Sequence, residues 1–88
     1  MTNNYFGDEN SDIYREYWQL FNDDGVRAFD EMEESLLALE RNNKSVEVLN
    51  CLYRSLHTFK GNSRTMQLDI LESLSHRAED LVGLARDN

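Results

Sequence analysis

The chain contains no proline, and only four of its 88 residues are glycine. The two residues that most often interrupt a helix are nearly absent, so little opposes helix along the sequence. A single cysteine, Cys51, excludes an internal disulfide. Lying beside the apolar positions Leu49 and Leu52, it is expected to be a small buried side chain. So sparse a cysteine content fits a reducing, cytoplasmic setting. No apolar run approaches the roughly 18 residues that span a bilayer, and no basic-then-apolar signal opens the chain, so no membrane partner is expected. Nine bases face 17 acids, for a net charge of −8. That balance argues against nucleic acid, whose phosphates select Lys and Arg.

The charge is unevenly spread. Residues 1–40 carry eleven acids and two bases (−9), residues 41–66 one acid and five bases (+4), and residues 67–88 five acids and two bases (−3). The basic segment sets Arg41, Lys44, Arg54, Lys60 and Arg64 against Glu47. It can attract an acidic partner surface although the whole chain is acidic. The same charges can equally be read as solvated faces of separate helices. Eighty-eight residues make at most one domain, with a core small enough to gain from a partner.

Residues 1–10 are polar, rich in Asn and Asp, and expected to be a flexible lead-in to a helical bundle domain over 11–88. Ser11 or Asp12 can cap a first helix. Its apolar stripe runs Tyr14, Tyr17, Phe21, Gly25, Ala28, Met32, Leu36, Leu39, in steps of three and four. Asn22-Asp23-Asp24-Gly25 reads locally as a turn, but the periodicity crosses it and predicts one long helix, bent at most. Asn42–Ser45 is a short connection, with Ser45 a candidate N-cap for a second helix from about Val46 to about Arg64. A turn at Thr65–Leu68 follows. Asp69 with Glu72 resembles a capping box and opens a third helix to about Arg86, with Leu71, Leu74, Ala78, Leu81 and Ala85 on its buried stripe. Short connections make successive helices antiparallel neighbours. The expected fold is all-α, an antiparallel bundle with three helices evident.

The second helix holds the most informative residue, His57. Tyr53 lies at i−4 from it, Lys60 at i+3, Gly61 at i+4 and Arg64 at i+7. One helical face thus carries an imidazole, an ammonium, a gap and a guanidinium. A neutral imidazole nitrogen is a competent nucleophile toward phosphorus, provided the other nitrogen holds the proton. The third helix carries a matching line, Glu72, His76, Glu79, Gly83. If the two helices pack antiparallel, a carboxylate such as Glu79 can accept the imidazole N–H and fix the tautomer. Lys60 can screen phosphoryl oxygens. Taken singly, each residue has a plainer role: a histidine at a helix edge is usually a surface group, Gly61 can end a helix, and His76 with Glu79 can be an i, i+3 pair. Two histidines and a glutamate without HxxxH spacing make no specific metal signature, and no metal is expected.

The run Leu52-Tyr53-Arg54-Ser55-Leu56-His57-Thr58-Phe59-Lys60-Gly61-Asn62-Ser63 resembles the phosphoacceptor motif of histidine phosphotransfer (HPt) domains. The form it resembles is the N-terminal one of chemotaxis-type histidine kinases, roughly L-F-R-x-x-H-T-x-K-G-x-A. Leu74-Ser75-His76-Arg77-Ala78-Glu79-Asp80-Leu81 is similar to that subfamily's H-x-x-E-D-L motif. The likeness extends back to Phe21, Met32-Glu33 and Leu36-Leu37-Ala38-Leu39-Glu40, so it covers most of the chain from about Tyr14 to Arg86.

The resemblance implies that His57 is the phosphorylated histidine and that Glu79 hydrogen-bonds its distal ring nitrogen. It also implies that Lys60 sits beside the phosphoryl group, that His76 joins the supporting network, and that Gly61 leaves room for a docking partner; Arg64, on the His57 face, and Arg54 are expected to face that partner as well. It implies a module of a two-component, chemotaxis-type phosphorelay. In that relay a histidine kinase's ATP-binding domain phosphorylates His57, and an aspartate on a response-regulator receiver takes the phosphoryl group. The receiver's site is acidic and binds Mg²⁺, and the +4 segment is complementary to it. ATP and Mg²⁺ would belong to those partners. This chain has no glycine-rich phosphate loop or ATP-binding box, so it is expected to need no cofactor. It would be a phosphoryl carrier and a piece of a histidine kinase. Arg64 and Gln67 stand where the chemotaxis form commonly has glycines. The family bundle has four core helices, so the fourth is expected to be missing or supplied by a partner, and the uncovered apolar seam also admits a homo-oligomer. The alternative from another class is a docking module that binds a receiver or kinase without carrying phosphate.

Overall fold

A computed structural model describes residues 10–87. Three helices form in order, α1 (Asn10–Arg41), α2 (Val46–Thr65) and α3 (Asp69–Asp87). Apart from Asn10, the segment expected to be a flexible lead-in lies outside the described residues. α1 begins before either expected cap. Asp12 therefore sits inside the first turn, where an acid complements the helix dipole. The helix is continuous through Asn22–Gly25, because the buried face of Gly25 and Ala28 carries the packing across the turn-like residues.

α2 is the central helix. It packs against α1 on one flank and α3 on the other, while α1 and α3 do not pack against each other among the described residues. Leu49, Leu52, Leu56 and Phe59 form its buried face. Phe59 meets Phe21 and Phe29 of α1 at centroid distances of 5.8 and 5.0 Å. Ser45 caps α2 as expected, its Oγ accepting from the Val48 N–H at 3.3 Å.

α1 departs from its expected stripe at both ends. Its 32 residues reach about 48 Å against about 30 Å for α2; Tyr14 and Tyr17 lie beside the end of α2, where they line a cavity with Thr65, Met66 and Gln67 and are exposed rather than packed. Near the other end Ser35 is buried while Leu36 is 54% exposed. The contact there is made of small side chains. Ser35 meets the level of Ser55, also buried, whose Oγ donates to Glu31 Oε1 at 3.2 Å. Cys51 is exposed rather than buried. It stands about 100° around the helix from Leu52, past the edge of α1, on the rim of a cavity of about 490 Å³ that it shares with Glu34 and Ser55.

α3 differs most. Its buried residues are Ser75 and Glu79, whereas Leu74 and Leu81 of the expected stripe are 59% and 67% exposed and Ala85 is exposed. Among the described residues its sole neighbour is α2, and it is rotated to bring Glu79 to that neighbour. The leucine line is left on the side facing away from α2's outer flank. Phe29 and Leu36 of α1 are also exposed, so both flanking helices leave apolar side chains uncovered.

The α2–α3 turn is compact. The Leu68 N–H donates to the Ser63 carbonyl at 2.8 Å and the Gln67 N–H to the Arg64 carbonyl at 2.9 Å, with Gln67 left-handed at φ 59°. This is a Schellman arrangement in which a glutamine takes the position glycine prefers. Leu68 then accepts the first α3 bond, from the Glu72 N–H, so Asp69 is already within the helix. The expected capping box does not form, because the Glu72 carboxylate reaches across to Arg64 instead. Among the described residues, no helix is long and apolar enough to cross a membrane.

Ser63 is completely buried, and its Oγ has no hydrogen-bond partner. A buried unpaired hydroxyl keeps its desolvation penalty. Ser63→Ala is therefore expected to raise stability by about 1 kcal/mol, read as a higher urea midpoint with an unchanged slope. A lower midpoint would show that the hydroxyl is in fact satisfied.

Candidate functional site

The outer seam between α2 and α3 is a zipper of polar pairs that climbs one helix as it descends the other. Arg64 faces Glu72, Lys60 and His57 face Glu79, Tyr53 faces Gly83, and Asn50 faces Arg86. The antiparallel turn at Gln67 sets this register. At its centre, Glu79 is shared between two partners. Its Oε2 is 2.5 Å from His57 Nδ1, and its Oε1 accepts from Lys60 Nζ at 2.7 Å.

Only 5% of the Glu79 side chain is exposed, against 64% for His57. Burial alone would raise the carboxyl's pKa, but the hydrogen bonds and charges of Lys60 and His57 outweigh it and hold the group below its ordinary 4.5. Glu79 is thus ionised near neutral pH. An ionised carboxylate only accepts, so the proton in the short contact resides on His57 Nδ1. The other ring nitrogen, Nε2, is left with its lone pair on an imidazole open to solvent. The arrangement can present a nucleophilic nitrogen of fixed tautomer, with an ammonium close by to face developing negative charge.

The remaining residues singled out in the sequence fall in three places. Gly61 lies one turn beyond His57, inside α2 rather than at its end, and a Cβ there would meet nothing within 4 Å. Arg64 lies further along the same face, exposed, with its Nε 2.9 Å from Glu72 Oε2. Arg54 sits around the helix, where it donates to Cys51 Sγ at 3.4 Å and lines the cavity beside α1. His76 stands next to the central network without a hydrogen bond to it. Both Glu79 oxygens are taken, and His76 Nε2 lies 3.6 Å from Asp80 Oδ2, one turn on. His76, Glu79 and Asp80 could offer three ligand atoms within 4.8 Å of one another, but the middle one is committed to His57 and Lys60.

Sequence reasoning missed the pairing of Arg64 with Glu72 and the group at the other end of the zipper. There Arg86 stacks over the Tyr53 ring, 4.7 Å from its centroid, and its Nη1 donates to Asn50 Oδ1 at 3.4 Å. Extending the His57–Glu79 register by two turns in each direction would have found both.

These features have counterparts among known proteins. A family model described as the Hpt domain matches residues 16–88. The chain is 34% identical over 71 residues to the sensor histidine kinase CheAY of Helicobacter pylori, covering 77% of this chain and 9% of that protein. It is 32% identical over 71 residues to the chemotaxis protein CheA of Salmonella typhimurium, covering 81% of this chain and 11% of that protein. It therefore spans about a tenth of the length of these relatives. A solved structure, the phosphorylated P1 domain of CheA3 in complex with CheY6 from R. sphaeroides, is similar with a TM-score of 0.76 and 50% identity, over 82% of this chain and 56% of that chain.

The low pKa of Glu79 ties stability to pH. A carboxyl held below its ordinary value contributes stability above that value and loses it as pH falls through the folded one. Glu79→Gln is expected to cost about 1.5–3 kcal/mol at neutral pH. The gap between parent and variant should then close as pH drops below 4.5, in urea melts across the acid range. A gap that is the same at every pH would mean that the charge of Glu79 contributes nothing.

Proposed function

Because the chain belongs to the Hpt domain family, we propose that it carries a phosphoryl group on His57 Nε2 within a two-component, chemotaxis-type phosphorelay. One observation carries this reading above the others: a buried, ionised Glu79 accepts a hydrogen bond from Nδ1–H of an exposed imidazole, which leaves the Nε2 lone pair free to react. The donor would be the ATP-binding domain of a histidine kinase, and the acceptor an aspartate on a response-regulator receiver. The similarity to a phosphorylated P1 domain in complex with CheY6 supports the receiver. The similarity to a sensor histidine kinase supports the kinase. Since the chain spans about a tenth of such relatives, kinase chemistry would lie in other segments, and this chain would act as a carrier without a cofactor of its own. ATP and Mg²⁺ would stay with the partners, and the setting would be cytoplasmic.

Each residue has a part in this reading. Glu79 orients the imidazole and keeps its tautomer. Lys60, anchored on Glu79, offers its ammonium to phosphoryl oxygens approaching Nε2. His76 flanks the network from the next turn of α3. Arg64 extends the positive face toward an acidic receiver, with Arg54 contributing from further around α2. Gly61 leaves the surface beside His57 open. A helix-interior glycine costs about 1 kcal/mol relative to alanine, and nothing among the described residues occupies the space it leaves. An approaching partner accounts for it. The seam between α1 and α3, with Leu74 and Leu81 exposed, would be the contact of a homo-oligomer.

Phosphoramidate, a small donor that needs no kinase, tests the reading directly. Acid-labile phosphate is expected on His57 by mass spectrometry, none on His57→Gln, and transfer to an added receiver's aspartate. An unmodified His57, with the chain still binding a receiver, would favour the docking module. Gly61→Leu is expected to leave folding and phosphoramidate labelling intact while weakening receiver binding about tenfold, equivalent to about 1.4 kcal/mol, by calorimetric titration. Equal affinity would remove the partner from the explanation of Gly61.

A further inference from the structure

The phosphoacceptor reading uses the polar side of His57 and leaves unexplained what lies on its other side. In a helix, side chains lean toward the N-terminus, so the His57 imidazole leans over the turn occupied by Tyr53. The two rings are almost parallel, 7° apart, with centroids 6.4 Å from each other. Tyr53 is itself held from two sides. The Arg86 guanidinium lies over its face at 4.7 Å. Arg86 is tied back to α2 through Asn50 Oδ1 at 3.4 Å. Gly83 of α3 lets the ring edge approach, so that even a Cβ there would touch Tyr53 Cε2 at 3.7 Å. The half-buried tyrosine thus has little freedom of its own.

From this geometry we propose that Tyr53, fixed by Arg86, is a positioning residue for His57. The Glu79 hydrogen bond pins one atom of the imidazole, Nδ1, but a ring pinned at one atom can still swing about that contact. The Tyr53 ring blocks the swing toward the start of α2 and so fixes the direction in which Nε2 points. Arg86 acts through Tyr53, which places the last turn of α3 in control of the aim of a nucleophile about two helical turns away along the zipper. The inference rests on the phosphoacceptor reading, because an aimed Nε2 matters only if that atom reacts.

Phosphoramidate again supplies the assay. The Nε2 lone pair forms the N–P bond as the P–N bond of the donor breaks. Ammonia leaves with the protons it already carries, and Nδ1 keeps its proton against Glu79. Tyr53→Ala is expected to slow this labelling about threefold to tenfold, the loss that follows when a reacting atom is no longer held in line. Tyr53→Phe, which keeps the ring and loses the hydroxyl, should rescue the parent rate, and Arg86→Leu should fall between. Imidazole ¹⁵N spectra of each variant read the tautomer independently. A retained Nδ1–H pattern in Tyr53→Ala, together with the slower rate, identifies lost aim rather than lost fold or a lost Glu79 contact. Parental labelling rates in Tyr53→Ala would overturn the proposal, as would a Phe variant as slow as Ala, or a slow Ala variant whose tautomer has changed. A parent chain that does not label at His57 would instead bring down the phosphoacceptor reading beneath it.

Discussion

One carboxylate organises the domain. Glu79 is almost fully withdrawn from water, where an unpaired charge is strongly disfavoured. It is tolerated because each of its oxygens has its own partner on α2, the His57 ring nitrogen and the Lys60 ammonium. Those contacts fix how α3 is rotated. A helix turned to pack its leucines on α2 would carry Glu79 away from His57. The observed rotation satisfies the charge and leaves Leu74 and Leu81 exposed. The open seam and the polar site are thus two results of one constraint.

The connection after α2 makes that rotation reproducible. Two backbone hydrogen bonds close the turn, and a left-handed Gln67 sends the chain back antiparallel at once. With so short a link, α3 has little room to slide, and the pairs from Arg64–Glu72 to Asn50–Arg86 fall into step. Small residues at the contacts, Ser55 and Ser63 on α2 and Ser75 on α3, are all buried and let the backbones come close. The buried Ser63 hydroxyl shows that small size there is worth more to the fold than hydrogen bonding.

Much of this could be read from the sequence. Steps of three and four apolar residues, with no proline to break them, located all three helices within one or two residues, and Ser45 announced the start of α2. His57, Lys60 and Glu79 were legible because helical spacing and antiparallel pairing bring them together whatever the details of packing. What stayed hidden depends on a neighbour rather than on the element itself. The apolar line on α3 is real, but periodicity does not say which neighbour covers it. Leu36 and Ser35 exchange places because small side chains meet opposite them. Cys51 falls beyond the edge of α1 by one step around the helix. Asp69 and Glu72 have the spacing of a capping box, yet Arg64 on another helix competes for the glutamate. Gln67 carries no local signal for a left-handed residue, since glutamine rarely takes that role.

The fixed proton on Nδ1 has a consequence for energy as well as aim. If His57 carries a phosphoryl group, the ring that bears it is already protonated on its far side. When the N–P bond later breaks, the imidazole departs as a neutral molecule rather than as an anion. No acid has to be recruited at the moment of transfer, and an acceptor carboxylate needs only to arrive in line. In that reading the hydrogen bond that would prepare the nitrogen to attack would also make it a good leaving group, so one contact would serve transfer in both directions.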